Sequence, residues 1–269
     1  MKVKFNIISF KGEVIKQKKN YHNSLSSLLS LLVWPLLNFI YIYYTYRSFN
    51  ISYLSTYGIK SFNEFVIFLI TGSLVYNCFW AMVQSAFYLS FERQNGTLET
   101  VFITPTNIVS YLYGRAFGGL FTSLWMYISF TIITLFLIDR ITVEMILSTL
   151  ISLIIVIISA TVWGAFINSV FLISRDSSYI FTICDEPMNI FSGATIPVSA
   201  FPVWGKFISY IFPATFCINI IRGIYKVGYF NNINYLYYII SMIFLIFLTF
   251  VISKYSYKKS KINGELCLY

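Results

Sequence analysis

Charge is scarce in this chain. Only 11% of its 269 residues are Asp, Glu, Lys or Arg, against about 25% in a typical soluble domain. A water-soluble globule of this size would lack the charges to cover its surface. Disorder is excluded as well, because 20% of the residues are aromatic and 58% hydrophobic, whereas disordered chains are poor in both. Histidine is nearly missing: His22 stands alone, so neither a histidine-based triad nor a multi-histidine metal site can be built. The four cysteines, Cys78, Cys184, Cys217 and Cys267, form no CxxC pair, which argues against a disulfide framework or zinc site and leaves them as small apolar fillers. GxxxxGK[ST], GxSxG and HExxH are all absent, so the chain holds no phosphate cradle, nucleophile elbow or zinc-protease helix. The only close acidic pair is Asp185–Glu186. No catalytic residue and no metal ligand is assigned, and any energised function must draw on a partner chain or an ion gradient.

What remains is an all-α integral membrane protein. Six spans of roughly 20 residues consume most of the length and leave little for a separate soluble domain. Uncharged runs place five of these spans at residues 25–46, 65–91, 116–138, 145–170 and 235–253, and the fifth in chain order, 177–193, is apolar but interrupted and holds Asp185–Glu186. The first run is too long for the apolar core of a signal peptide, and Pro35 inside it is expected to kink it. The fourth apolar stretch exceeds what a span needs and is expected to tilt or to end near Asn168. Ahead of the spans, residues 1–20 carry Val3, Ile7, Phe10 and Val14 at helical spacing among lysines, the pattern of a basic interfacial helix.

The net charge of +9 fits a membrane surface better than nucleic acid. With both termini inside, the inner set is Lys2, Lys4, Lys11, Lys16, Lys18, Lys19, Arg93, Arg115, Arg175, Lys254, Lys258, Lys259 and Lys261, thirteen in all. The outer set is Arg47, Lys60, Arg140, Lys206, Arg222 and Lys226, which makes six. This bias predicts cytoplasmic termini. Two connections are more than simple turns. The inner one, 92–115, contains a candidate short helix. Thr97 is placed to cap it and Glu99 to occupy its first turn, where negative charge is favoured. Leu98, Val101 and Phe102 then fall on one stripe, and Pro105 stops the helix. Such a helix suits a groove on a soluble partner. The outer connection, 194–226, follows Pro187 and holds Pro197, Pro202 and Pro213 within an apolar stretch. It reads as re-entrant half-helices, with Ser192–Gly193 supplying the turn that reverses the chain.

The inner segment runs Phe91-Glu92-Arg93-Gln94-Asn95-Gly96-Thr97-Leu98-Glu99-Thr100-Val101-Phe102-Ile103-Thr104-Pro105. It resembles the cytoplasmic loop of ABC-2 type transporter permeases, E-R-x-x-G-T-L-E-x-L-x-x-T-P. Glu92, Arg93, Gly96, Thr97, Leu98, Glu99, Thr104 and Pro105 match, and Gly114–Arg115 stand where the family has a basic residue near the next span. Ser192-Gly193, Pro197, Pro202, Trp204 and Pro213 are similar to a second family pattern before the last span. The resemblance covers nearly the whole chain and implies a single transmembrane domain over 1–269. It also implies a dimer with an identical or paralogous permease. Each copy would dock a separate ATPase subunit, two in all, through the inner loop, with ATP and magnesium bound in that partner and no cofactor in this chain. The implied activity is export of a drug, peptide, lipid or glycolipid across the cell membrane.

Asp185 falls about 12 Å along a fifth helix starting at Ser177, near mid-bilayer, where an ionisable group is costly and a functional candidate. Glu186 points about 100° away. Either lines a transport path, or the pair serves as the proton relay of a gradient-driven secondary transporter, the alternative function. Gly114, Gly118 and Gly119 permit close helix approach, within the subunit or between subunits. Tyr41, Tyr43, Tyr44 and Tyr46 form an interfacial belt at the end of the first span. The purified chain, free of other subunits, is expected to show no ATP turnover in a phosphate-release assay. Measurable turnover would reveal a nucleotide site without a P-loop.

Overall fold

The computed structural model describes residues 6–21, 25–104, 106–137, 142–173, 177–225 and 235–263. Among these the fold is helical, with no strand. Ten helices follow in order: α1 Ile7–Tyr21, α2 Leu25–Tyr46, α3 Phe62–Gln94, α4 Thr97–Ile103, α5 Ile108–Phe136, α6 Val143–Ile173, α7 Ser177–Phe191, α8 Val203–Ser209, α9 Pro213–Tyr225 and α10 Tyr235–Asn263. Short 3-10 turns at Ile51–Tyr57 and Val198–Ala200 complete the set. The expectations placed on Val3, Pro105, Lys226 and the other residues outside these ranges are not covered by the described structure.

Helix α3 is the axis of the bundle. Its 33 residues reach about 50 Å at 1.5 Å per residue, well beyond the roughly 30 Å hydrocarbon layer. Ser61 caps its start by accepting the Glu64 N–H, and the Glu64 carboxylate reaches back to the Lys60 N–H at 2.7 Å, a near relative of the capping box. Helices α5, α6, α7 and α9 pack around it. Phe79, Met82, Leu89, Leu112 and Ile167 are sealed from solvent in the resulting core. The outward faces of α6 and α10 are apolar and exposed, with Leu150, Ile151, Ile154 and Ile158 on one and Ile243, Phe244 and Phe247 on the other. This inversion is the signature of a protein dissolved in lipid.

Helices α3, α5, α6 and α10 are each long and apolar enough to cross a membrane, and α8 with α9 forms a further apolar pair bent by 91°. Helix α2 is an uncharged run of 22 residues with Pro35 inside it. The fifth expected span is shorter than foreseen: α7 has 15 residues, about 22 Å. Helix α6 does not stop near Asn168. It continues to Ile173, because the Asn168 amide donates to the Gly164 carbonyl of its own helix at 2.8 Å instead of breaking it.

Helix α1 lies along the first half of α5. A Cβ on Gly114 would sit 2.7 Å from the Phe10 carbonyl oxygen, and one on Gly118 would sit 2.5 Å from the Gln17 Cβ. The Gly-xxx-Gly spacing therefore serves packing within the subunit, while Gly119 faces Met82 and Ser85 of α3. Of the expected apolar stripe, Phe10 meets Phe117 of α5 at a centroid distance of 5.6 Å. Ile7 of that stripe instead faces outward, as do Ile8 and Ile15, which lie outside it, among exposed lysines. The Gly114→Val variant is expected to lose about 1–3 kcal/mol through overpacking against backbone. Gly12→Ala, where a Cβ meets nothing within 4 Å, is expected to gain about 0.5–1 kcal/mol from helix propensity. Thermal unfolding of the two detergent-solubilised variants measures both.

Candidate partner-docking site

The chain turns sharply between α3 and α4. Asn95 ends α3, and Gly96 takes the left-handed conformation at φ 68°. Gly96, not Thr97, is the N-cap of α4. The Thr97 hydroxyl turns back and donates to the Glu92 carbonyl at 3.0 Å. Glu99 sits in the first turn as anticipated. Leu98, Val101 and Phe102 do share one stripe, but that stripe faces inward. Leu98 is fully buried, Val101 and Phe102 pack against the core, and the Phe102 ring stacks on Tyr257 of α10 at 6.2 Å. The physical reason is length: a helix of seven residues has no stability of its own and must commit its apolar side to an anchor. The face left open carries Thr97, Thr100, Thr104 and Ile103, the last 84% exposed.

Beneath α4 lies a buried ionic cluster. The Arg115 guanidinium of α5 is inaccessible to solvent and donates to Glu92 Oε1 at 2.8 Å, with Glu13 Oε1 of α1 at 3.4 Å. Lys16 approaches Glu92 Oε2 at 2.6 Å and Glu13 Oε2 at 3.5 Å. The Tyr111 hydroxyl donates to Glu92 at 3.1 Å, Gln17 donates to Glu13 at 2.6 Å, and Arg115 Nε donates to the Ser85 carbonyl at 3.2 Å. Two acids and two bases thus balance in charge. Burial pushes the Glu13 carboxyl above the usual carboxylate range, opposed by Arg115 and Lys16. Arg93 plays a different part. Its guanidinium donates to the carbonyls of Phe171 and Leu172 at 3.1 and 2.8 Å, satisfying the otherwise unpaired end of α6. A groove of about 360 Å³ opens between α1 and α4, lined among others by Ser9, Gly12, Lys16, Thr100 and Thr104.

At the opposite end of α3, the chain reverses after α7. Gly193 holds φ 85°, and Ser192 is buried beside it. Pro197 and Pro202 precede the 3-10 turn and α8, and Pro213 opens α9. Arg222 of α9, 5% exposed, reaches across. It donates to the carbonyls of Gly193 at 2.8 Å, Ala194 at 2.9 Å and Phe68 of α3 at 3.0 Å. Its guanidinium also lies 3.4 Å from the centroid of the Phe68 ring. Between these two ends, the Tyr76 hydroxyl of α3 donates to Asp185 Oδ1 at 2.8 Å. Asp185 is buried, whereas its neighbour Glu186 is exposed.

A family model described as ABC-2 type transporter matches residues 7–226. The chain belongs to the ABC-2 type transporter family. No curated protein gives a significant match. As a member of this family the chain is a multi-pass membrane protein and a transport permease domain, of a kind that is generally not catalytic.

Set on this ABC-2 permease, the motif residues divide into two groups. Glu92, Arg93, Gly96 and Leu98 anchor α4 to the bundle, while Thr97, Glu99 and Thr104 lie toward its open side and Pro105 falls outside the described residues. Three contributors escape sequence reasoning. Glu13 and Lys16 fall within what reads as a generic basic helix. Yet Glu13 is the only acid in the first 20 residues, and that isolation is the available signal. Arg222 counts in the sequence only as an outer-loop charge, and nothing local distinguishes it. Breaking the buried cluster with Arg115→Gln is expected to cost about 3–5 kcal/mol, because two buried carboxylates are left with only the partly exposed Lys16 to balance them. Lys16→Gln, at a position 30% exposed, should cost no more than about 1 kcal/mol. Thermal unfolding monitored by fluorescence-detected size exclusion gives the comparison.

Proposed function

We propose that this ABC-2 permease is the membrane-embedded half of an ATP-driven exporter. Two copies, or one copy and a paralogue, enclose the path, and two separate ATPase subunits supply ATP binding and hydrolysis with magnesium. In this reading α2, α3, α5, α6, α7 and α10 are the six spans. Both termini face the cytoplasm, and the bent α8–α9 pair is a re-entrant cover on the outer side of the cell membrane. Asp185 and Glu186 line the path. The cargo class is a drug, peptide, lipid or glycolipid leaving the cytoplasm or the inner leaflet.

The observation that carries the proposal is α4. Its apolar stripe is wholly committed inward, its base is clamped by the Arg115 cluster, and a polar face with one prominent apolar side chain, Ile103, is held out beside a groove. A short rigid projection of this kind transmits displacement. A nucleotide-driven movement of a docked partner would push on α4 and, through Glu92 and Arg115, on α3 and α5 together. The contact residues are then those of the open face: Thr97, Thr100, Ile103 and Thr104, flanked by Glu99.

Co-purification with the cognate ATPase is the test. Ile103→Asp is expected to lower recovery of the ATPase by about tenfold, the loss of one well-packed apolar anchor, without changing the thermal stability of the permease. Leu98→Asp is expected to destabilise the permease itself, since it places a charge in the core. Undiminished ATPase recovery with Ile103→Asp would remove α4 from the docking surface.

A further inference from the structure

Helix α10 ends in a way that the transport path does not use. Ile240, Phe244, Phe247 and Val251 are between 44% and 60% exposed. They recur at spacings of four, three and four residues, so they form one apolar stripe. Continued by three and four residues, the same stripe reaches Lys254 and then Lys258. The apolar face of α10 therefore runs straight into two cations. At that point it meets the start of α5 across a cavity of about 270 Å³, walled by Thr106, Ile108 and Val109 on one side and Lys254, Tyr257 and Lys258 on the other. Among the described residues, no carboxylate lies within salt-bridge distance of either lysine. The nearest feature compensating Lys254 is the face of the Phe250 ring, 4.2 Å away. A mostly apolar cavity with a pair of cations at one edge that no described carboxylate neutralises, opening onto a lipid-facing stripe, has the polarity profile of an amphiphile with an anionic head.

We propose that this cavity is a binding site for an anionic phospholipid of the cytoplasmic leaflet. Its phosphate group is held by Lys254 and Lys258, and an acyl chain lies along Val251, Phe247, Phe244 and Ile240. Basic pockets between spanning helices at the cytoplasmic surface are where anionic headgroups are recognised. The start of α5 adds the positive end of a helix of 29 residues pointing toward the same space. The site abuts the docking helix. Tyr257, part of its wall, is the ring on which Phe102 of α4 stacks. A bound lipid thus buttresses the inner anchor of α4 and ties the rigidity of the projection to the charge of the surrounding leaflet.

The inference rests on the orientation proposed above, with the α4 end facing the cytoplasm. The measurement needs no ATPase, so its failure leaves α4 docking untouched. Native mass spectrometry of the purified permease, titrated with phosphatidylglycerol or phosphatidylcholine, reads retained lipid directly. One phosphatidylglycerol per chain is expected, with a preference of about tenfold or more over phosphatidylcholine, the scale that two lysines supply. The double substitution Lys254→Gln with Lys258→Gln is expected to abolish the preference. Lys11→Gln with Lys19→Gln, which removes the same charge from the exposed side of α1, should keep it. Inorganic phosphate should not compete. No preference in the unaltered chain, equal loss in both double variants, or displacement by inorganic phosphate would each overturn the proposal. If the first double variant fails to fold, Val109→Trp decides: it fills the cavity with both lysines in place and is expected to remove the preference, and retention would overturn the site.

Discussion

The Arg115 guanidinium holds three helices in one arrangement. A buried cation costs several kcal/mol to desolvate and is tolerated only when its partners are fixed. Here the partners come from α1 and α3, the Tyr111 hydroxyl comes from the arginine's own helix, and Lys16 closes the charge balance. Because Glu92 lies one helical turn before the left-handed residue Gly96, fixing Glu92 also fixes where α4 leaves the bundle. Helix α4 takes its position from this cluster below it and from the Leu98 and Phe102 anchors. Its own seven residues could not supply that position.

The close approach of α1 depends on the same cluster and makes it possible. Gly114 and Gly118 let the α1 backbone come near enough for Glu13 to reach Arg115, and they flank the arginine in sequence. Any side chain at those positions would lift α1 away and expose the cluster to water. Sterics and electrostatics are therefore joined at this contact, and neither can be altered alone.

Much of this is legible in the sequence. Charge depletion and uncharged runs place the long helices, and Gly96 to Thr104 mark the short one, because glycine, threonine and a tight apolar spacing have few other uses together. The direction of the α4 stripe is not legible. Periodicity shows that Leu98, Val101 and Phe102 share a face, but whether that face looks inward or outward depends on Tyr257, in the last helix, and on the room left by α5. The reversal at Ser192–Gly193 can be read from local chemistry, since a left-handed residue favours glycine. The reach of Arg222 to Phe68 cannot, because contacts between distant segments leave no trace in spacing. The end of α7 at Phe191 belongs to that same reversal, since Ser192–Gly193 follows it directly.

Arg222 carries a mechanical consequence. Its three acceptors are all backbone carbonyls, belonging to α3 and to the turn after α7. The opposing Gly72 leaves no space for a Cβ, since one would fall 2.0 Å from the Ala194 oxygen. Carbonyls cannot swing aside as side chains do, so the arginine welds α9, the turn and the first half of α3 into one stiff piece. That piece can tilt but cannot shear internally without stranding a buried cation. Any movement at this end of the bundle must then occur along the perimeter of the block, between it and its neighbours, and not by peeling α9 away from α3.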